Sequence, residues 1–589
     1  MKLVPFLLCV CAGLTAARGA TVTVGNPQDG ANLPVALAAA YAQGARDITI
    51  APGVYDLPSI NHRDTILLTQ WRDATVHAAG ATLIFEELKR CPVHLDRCAN
   101  VTWDGGTLRF AQPSSTQGRV TTKGADARGD YFDWKVDAGY AKDLGAGKKT
   151  FVVVDQATRQ LKVNTGDIVY FPSTAMPPAV VTGVSREQTA PGEFRLHAPA
   201  KIAAMVAVGD WLVTADPAGG SNIFHLDDCQ TCAVENVTLQ NGGFATLFET
   251  RGAGANRYLH CTIEPGPRPT GATEDQLVGG GSDGFHSVDM ETGPDLEDCV
   301  FHGVFLDDCI AIQGTFGRVI ATSGNDVTLG SNRPLPRVGD PLRILNRQGF
   351  FAQAICRVVT PQTDGTLRVT LDQALDIPIN HTEDADPRAG TKASDPFFCG
   401  RGYIIRNCRL GDTRSRGILV KGDDGVIENC TIENCGMSGV SIGPEFYWNE
   451  AGYSWNVTVS HNKFIGCDEN NTDQSAIWVH GEGAIGNRNI MIADNDFVSS
   501  YGSSVVRCNW VDGVEIKGNR FAASFQIPGR VPGQIVSLLQ CRHVKLLDNL
   551  VSDQGATAGA LVGLDKSVPP AEVENNDATG IRIETAKTP

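Results

Sequence analysis

Short apolar runs alternating with polar residues, broken every few positions by glycine, asparagine or aspartate, fill most of the chain. Such period-two segments predict short β-strands, and helical 3.6-residue periodicity is scarce. The exception is Leu33–Gln43 (LPVALAAAYAQ), which predicts a helix near the start. A repeat can be laid over the strands. NVTL, HCTI, DCVF, NCRL, NCTI, HNKF, DNDF, GNRF and DNLV share one strand-turn frame. Their second positions are Val237, Cys261, Cys299, Cys408, Cys430, Asn462, Asn495, Asn519 and Asn549. The shortest intervals, of about 22–24 residues, match one coil of a solenoid, and the longer ones hold loops. A column in which Cys gives way to Asn predicts an inward-facing stack. Each Asn amide is expected to bond its own turn and the next Asn of the ladder.

Two stretches depart from this grammar. FVVVD, EFRLHA and GDWLVTAD before Pro217, and GRVIAT, GDPLRILN and GTLRVTL after Phe316, are longer alternating strands. They predict two small antiparallel β-subdomains inserted into the solenoid. The expected organisation is a signal peptide over 1–19, N-terminal coils with a capping helix over 20–130, and a first insertion over 131–217. Coils with candidate catalytic residues follow over 218–316, then a second insertion over 317–398, then C-terminal coils and a cap over 399–589. The fold class is all-β.

Lys2, the apolar run Leu3–Ala12 and the small residues around Ala17 read as a secretory signal, and the run is too short to span a bilayer. The mature chain is therefore expected outside the cell, or in the periplasm of a bacterium. Seventeen cysteines include Cys9 and Cys11 in that signal, which leaves an odd number. Cys91/Cys98 and Cys229/Cys232 are the expected local bridges. The CQTC spacing lacks the second ligand pair of a zinc site, so no metal or cofactor is expected. Sequons at Asn100, Asn236, Asn380, Asn429, Asn456 and Asn470 would carry surface glycans in a eukaryotic host. A net charge of −16 argues against nucleic acid or anionic membrane as a partner, and overall against a polyanionic glycan.

The chemistry concentrates between Gly279 and Gly314. Asp283 follows a glycine run, and the pair Asp307–Asp308 comes about one coil later, so the acidic points stack about 5 Å apart per layer. Carboxylates paired on a rigid sheet face are the minimum apparatus for acid–base cleavage of a glycosidic bond. Turn-capping aspartates would leave the same pattern. Strand alternation places Asp307 and Asp308 on opposite faces unless the chain bends there. His286 is placed to bond substrate or to orient a carboxylate. Arg416 and Lys421 in SRGILVKG suit hydroxyls or developing charge. The loop with Glu445, Tyr447, Trp448, Asn449 and Glu450 offers rings to stack on sugars and polar groups to fix hydroxyls.

SDGFHS followed by LDDCIAIQG resembles the family 28 polygalacturonases, although their Gly-His-Gly and Arg-Ile-Lys motifs are missing. APGVYDL resembles the entry coil of right-handed parallel β-helices of the pectin-lyase type. The chain is more similar to the family 110 glycoside hydrolases, secreted exo-acting α-galactosidases that combine a β-helix with small β-barrel insertions. One Asp on a coil, an Asp-Asp pair on the next, the following Gly314-Thr315, and the order RGILVKG, NCTIENC, WNE carry that resemblance. It implies inverting, exo-acting hydrolysis of terminal α-linked galacto-configured sugars in an oligo- or polysaccharide. Asp307 would be the acid and Asp283 with Asp308 would hold water, at a carboxyl separation of about 6.5–9.5 Å. Mutual repulsion among the carboxylates would raise one pKa and keep the acid protonated. A polygalacturonase-like pectin hydrolase and a non-catalytic glycan-binding β-helix are the alternatives. A lyase would need a calcium–carboxylate cluster, with Arg416 or Lys421 as base.

Overall fold

The computed structural model describes residues 21–59, 64–144, 149–163, 165, 168–170, 184–215, 220–330, 335–378, 390–470, 472, 474–521 and 535–551, together with strands 562–564, 572–574 and 583–585. The expected signal segment and Asn380 lie outside these residues. Three long sheets of 14, 14 and 12 strands wind into a right-handed parallel β-helix. The second count includes one antiparallel strand, Glu450–Ala451. The helix Leu33–Ala42 buries Leu33 and Leu37 against the first coils, as a cap should. Strands Val562–Leu564, Glu572–Glu574 and Ile583–Thr585 carry two of the sheets beyond Asn549. No helix among the described residues is long and apolar enough to cross a membrane.

Each coil turns a corner by the same device. The first residue of every repeat frame has a left-handed backbone: Asn236, His260, Asp298, Asn407, Asn429, His461, Asp494, Gly518 and Asp548 all have φ between 53° and 64°. That conformation favours Gly and residues whose short polar side chains bond locally, which is the composition seen. The next residue then points into the core, and all nine column positions are buried. The asparagines form a ladder: Asn495 Oδ1 accepts from Asn462 N, Asn519 Oδ1 from Asn495 N, and Asn549 Oδ1 from Asn519 N, at 2.9–3.1 Å. Their amides donate to the backbone carbonyls of Ile427, Val459, Ile492 and Ile516. Asn495→Ala strands buried partners on both sides. It is expected to cost about 1–3 kcal/mol per unsatisfied group in denaturant unfolding, against near-neutrality for an exposed Asn.

The cysteines occupy the same column differently from expectation. All fifteen described cysteines are buried free thiols, so the expected Cys91/Cys98 and Cys229/Cys232 bridges are absent. Cys98 Sγ donates to Leu68 O at 3.1 Å and Cys229 Sγ to Leu95 O at 3.3 Å, each one coil back. Closeness in sequence is the wrong guide here, because stacking directs a thiol at the neighbouring coil.

The first insertion is an open seven-stranded antiparallel sheet that begins with Ser115–Asp126, earlier than the expected residue 131. That strand, STQGRVTTKGAD, is too polar to stand out by hydrophobic alternation. Phe132, Trp134 and Phe151 centre the insertion's own core. The second insertion closes into a six-stranded barrel between Gly317–Ser323 and Lys392–Ser394. Both pack back onto the β-helix, the first beside the turn that carries Asp307. Val152, Val154, Trp211 and Val213 of the first meet Leu277, Val278, Phe305 and Leu306. In the second, buried Arg343 forms a bidentate pair with Asp423 at 2.7 and 3.0 Å and donates to Tyr453 O at 2.8 Å. Asp423 reads as a plain turn residue in the sequence.

Candidate active site

Asp283, Asp308 and Arg416 occupy one phase of three successive coils. Gly284 N donates to Asp308 O at 3.0 Å, and Cys309 N to Arg416 O at 2.9 Å. These contacts continue into the paired strands Phe285–Val288, Ile310–Thr315 and Ile418–Val420. A turn over Phe305 and Leu306 precedes a bend at Asp307, which removes the strand alternation that would separate 307 from 308. As a result Asp283, Asp307 and Asp308 each bring one carboxylate oxygen within 4.8 Å of the others. These closest oxygens sit tighter than the 6.5–9.5 Å expected between acid and base carboxyls. Oxygens at this spacing can both accept hydrogen bonds of about 2.8 Å from a single water.

The three carboxyls have different surroundings. Asp283 Oδ2 is 2.8 Å from His286 Nδ1, and its Oδ1 accepts from Asp308 N at 3.1 Å. Asp308 accepts from Arg416 N at 2.8 Å and from Arg416 Nη1 at 3.2 Å. Both are thus held by donors on both oxygens. Asp307 has Arg414 Nη2 at 3.8 Å, with the charge of Arg416 beyond it, and 40% of its side-chain surface is open. Although that edge is open, the protein packed around the carboxyl desolvates it and pushes it well above the usual range. Arg414 opposes this, and the charges of Asp283 and Asp308 add to it. Thr413 Oγ1 and Arg414 Nε fix the turn by donating to the carbonyls of Asp307 and Leu306. The site therefore holds one accessible carboxyl disposed to keep a proton beside two buried ones wrapped in donors.

Burial works against charge on His286, but Asp283, with Glu450 and Asp308 beyond it, lifts the imidazole above its ordinary range. Its Nε2 lies 3.1 Å from Gln313 Nε2, and Phe248 stands edge-on to its ring at 5.8 Å. Behind the aspartates is a buried ionic network. Arg416 Nη2 pairs with Glu445 Oε1, and Lys421 Nζ lies 3.1 Å from Glu445 Oε2 and 2.9 Å from Glu450 Oε2. Lys421 is fully buried. Burial alone would raise Glu445, but Arg416 and Lys421 hold it well below the carboxylate range. Burial raises Glu450, Lys421 opposes that, and Glu445 reinforces it. Cation and acid positions of the sequence reading thus meet in one cluster.

The loop 445–450 is pinned at its base by reciprocal backbone bonds between Glu445 and Glu450 at 3.0 and 3.1 Å. Trp448 is 57% exposed and edge-packed on Tyr447 at 4.6 Å, free to meet a ligand. Asn449 is exposed, but its amide is engaged: its Oδ1 accepts from Lys392 Nζ at 3.1 Å and its Nδ2 donates to Phe316 O at 3.2 Å. It ties the loop to the second insertion.

Four further residues at the site were not among the expected ones. Arg414 and Gln313 sit in ordinary coil contexts. Asp289 is buried, accepts from Thr315 Oγ1 at 3.1 Å, and is raised by burial to about 7. His480 is buried near Glu445, stacked on Trp478 at 3.9 Å, and burial lowers it to about 3. The outward parity of His480 after strand Ile477–Val479 is the one clue the repeat frame offers. The three aspartates are also the one cluster among the described residues spaced to hold a cation. All-oxygen donors suit a hard ion, but the Arg416 guanidinium and the His286 imidazole already occupy the flanks.

A right-handed beta helix region model matches residues 397–583. Alpha-1,3-galactosidase B of Bacteroides thetaiotaomicron is 24% identical over 86% of this chain and 82% of its own length. By fold and by sequence, this chain is a right-handed β-helix similar to an α-1,3-galactosidase. Alpha-1,3-galactosidase A of Akkermansia muciniphila is 23% identical over 45% of the chain and 43% of its own length, so that match spans under half of the relative. Among solved structures, a mannuronan C-5 epimerase module of Azotobacter vinelandii covers 93% of this chain and 94% of its own at 10% identity, with a TM-score of 0.35. A tailspike protein of the E. coli bacteriophage HK620, in complex with a pentasaccharide, covers 94% of this chain and 67% of its own at 11% identity and a TM-score of 0.37.

Proposed function

We propose that the chain is a secreted glycoside hydrolase that releases terminal α-1,3-linked galactose by a single displacement. The observation that carries the reading is the convergence of three carboxyls with unequal surroundings. The galactosidase names of the two relatives supply the sugar and the linkage. Asp307 gives its proton to the glycosidic oxygen while water, held between Asp283 and Asp308, attacks the anomeric carbon and passes a proton to that pair. The leaving sugar departs as the alcohol, galactose gains the hydroxyl, and solvent returns the proton to Asp307.

The tight oxygen spacing favours one second reading. Carboxyls about 5–5.5 Å apart are the geometry of double displacement with a covalent intermediate. Against it, both oxygens of Asp283 and of Asp308 already accept hydrogen bonds, which suits anchoring water better than attacking carbon. Proton NMR of the first turnovers on an α-1,3-galactosyl disaccharide separates the two. Single displacement is expected to give β-galactose first, and early α-galactose would assign the covalent route. Galacturonan offered in parallel is expected to remain intact, and its cleavage would favour the pectin-hydrolase alternative.

A further inference from the structure

Two of the Phe, Tyr and Trp side chains among the described residues are exposed, Trp448 and Phe244, the latter at 37%. Trp448 belongs to the loop 445–450, which leaves the β-helix two coils beyond Asp308. Phe244 lies on the coil before Asp283, in a turn that no motif marks. Thr246 N donates to Asp283 O and Leu247 N to Gly284 O, both at 2.9 Å, so the two turns run side by side. A Cβ at Gly281 would fall 2.0 Å from Phe244 O, which explains a glycine at that point before Asp283. Three residues before the aligned Leu247, Phe285 and Ile310 stand Phe244, Ser282 and Asp307. Phe244 is thus on the line of Asp307, two coils or about 10 Å away along the axis. Its ring packs edge-on to Phe248 at 5.9 Å, and Phe248 packs edge-on to His286, the partner of Asp283, at 5.8 Å.

The sheet face is open on the Phe244 side and covered on the other. One outward row runs from Leu67 through Phe248 and His286 to Leu419 and Ser441. Leu67 is exposed and Phe248 and His286 keep part of their surface open, whereas Leu419 and Ser441 are buried. At that buried end the loop 445–450 reaches back to pair Glu450 and Ala451 with Thr315 and Gly314. A substrate longer than one ring therefore extends towards the N-terminal coils, past Phe244. An acid that protonates the leaving oxygen has the leaving group on its own side of the scissile bond. We propose that Phe244 is the platform for the leaving sugar, an uncharged pyranose whose C–H face stacks on the ring, with galactose on the Trp448 side. The inference rests on the hydrolase reading and deepens it. An aromatic ring binds the apolar face of a sugar and offers no cation to a uronate.

The test compares kcat/KM for an α-1,3-galactosyl disaccharide with that for α-galactosyl fluoride, which has no leaving sugar. Phe244→Ala is expected to lower the disaccharide-to-fluoride ratio at least about fivefold, mainly through KM. Phe244→Tyr keeps the ring and is expected to hold the ratio near that of the wild type. Should Phe244→Ala fold poorly, Phe244→Leu fills the space beside Phe248 without a ring and carries the same expectation. Trp448→Ala, on the galactose side, is expected to slow both substrates alike. A ratio that Phe244→Ala and Phe244→Leu leave unchanged overturns the platform. So does a fall in Phe244→Tyr as large as in Phe244→Ala, or a ratio moved by Trp448→Ala instead. Wild-type cleavage of the fluoride but not the disaccharide also overturns it, with the hydrolase reading intact. Cleavage of neither removes the hydrolase reading and the platform with it.

Discussion

Asp307→Asn is expected to lower kcat on an α-1,3-galactosyl disaccharide by about 10²–10⁴-fold, the span of a lost general acid. The change keeps shape and removes only the transferable proton. Because 40% of the Asp307 side chain is open and its close cation is 3.8 Å away, thermal stability should move little. The loss should shrink on α-galactosyl fluoride, which departs with less need of a proton. The pH profile gives an independent sign. Asp307 acts when protonated, and its enclosure and the charges of Asp283 and Asp308 raise its pKa. Wild-type activity is therefore expected to persist above the ordinary carboxyl range and to fall as pH rises through the raised value. In Asp307→Asn that limb should vanish from the residual activity. An unchanged disaccharide rate would remove Asp307 as the acid, and an unchanged alkaline limb would assign that limb to another group.

The parts of the molecule legible in sequence are those fixed by constraints that repeat. The left-handed corner before each column residue admits few residue types, so Asn236, Asp298, Asn429 and Asp494 mark their coils without reference to anything distant. The inward phase of Asn462 to Asn549 follows from that corner, and the stacking of Asp283 under Asp308 follows from the coil period. What stayed hidden depends on how separate coils and insertions meet. Arg343 and Asp423 are eighty residues apart and pair only because the second barrel folds back. The strand at Ser115 is polar on most positions and has no hydrophobic rhythm to reveal it. The cysteine spacings pointed to neighbours in sequence, whereas the Cys98 and Cys229 thiols donate to the preceding coil. The bend at Asp307 is set by the packing of Phe305 and Leu306 against the first insertion, which no local motif records.

Lys421→Met is expected to destabilise the fold by about 3–5 kcal/mol at neutral pH, the cost of breaking a buried ion pair from one side. Lys421 is fully buried, and its ammonium is the shared partner of Glu445 and Glu450. Without it Glu445 keeps Arg416, but Glu450 loses the ammonium 2.9 Å away and stays beside the Glu445 carboxylate, with the His286 imidazole beyond. Glu450 already has a raised pKa with Lys421 present, so losing the cation raises it further. A carboxyl whose folded pKa exceeds its unfolded value binds more protons when folded, so stability falls as pH rises between the two values. The gap between wild type and Lys421→Met should accordingly be widest at and above neutrality and narrow on acidification as Glu450 takes up a proton. Adding Glu450→Gln to Lys421→Met should recover part of the loss and remove most of that pH dependence. A gap below about 1 kcal/mol with no pH dependence, but a large rise in KM for the disaccharide, would instead place the Lys421 ammonium in contact with substrate. The two outcomes separate a cation that holds Arg416 and Glu445 in position behind the aspartates from one that binds the sugar directly.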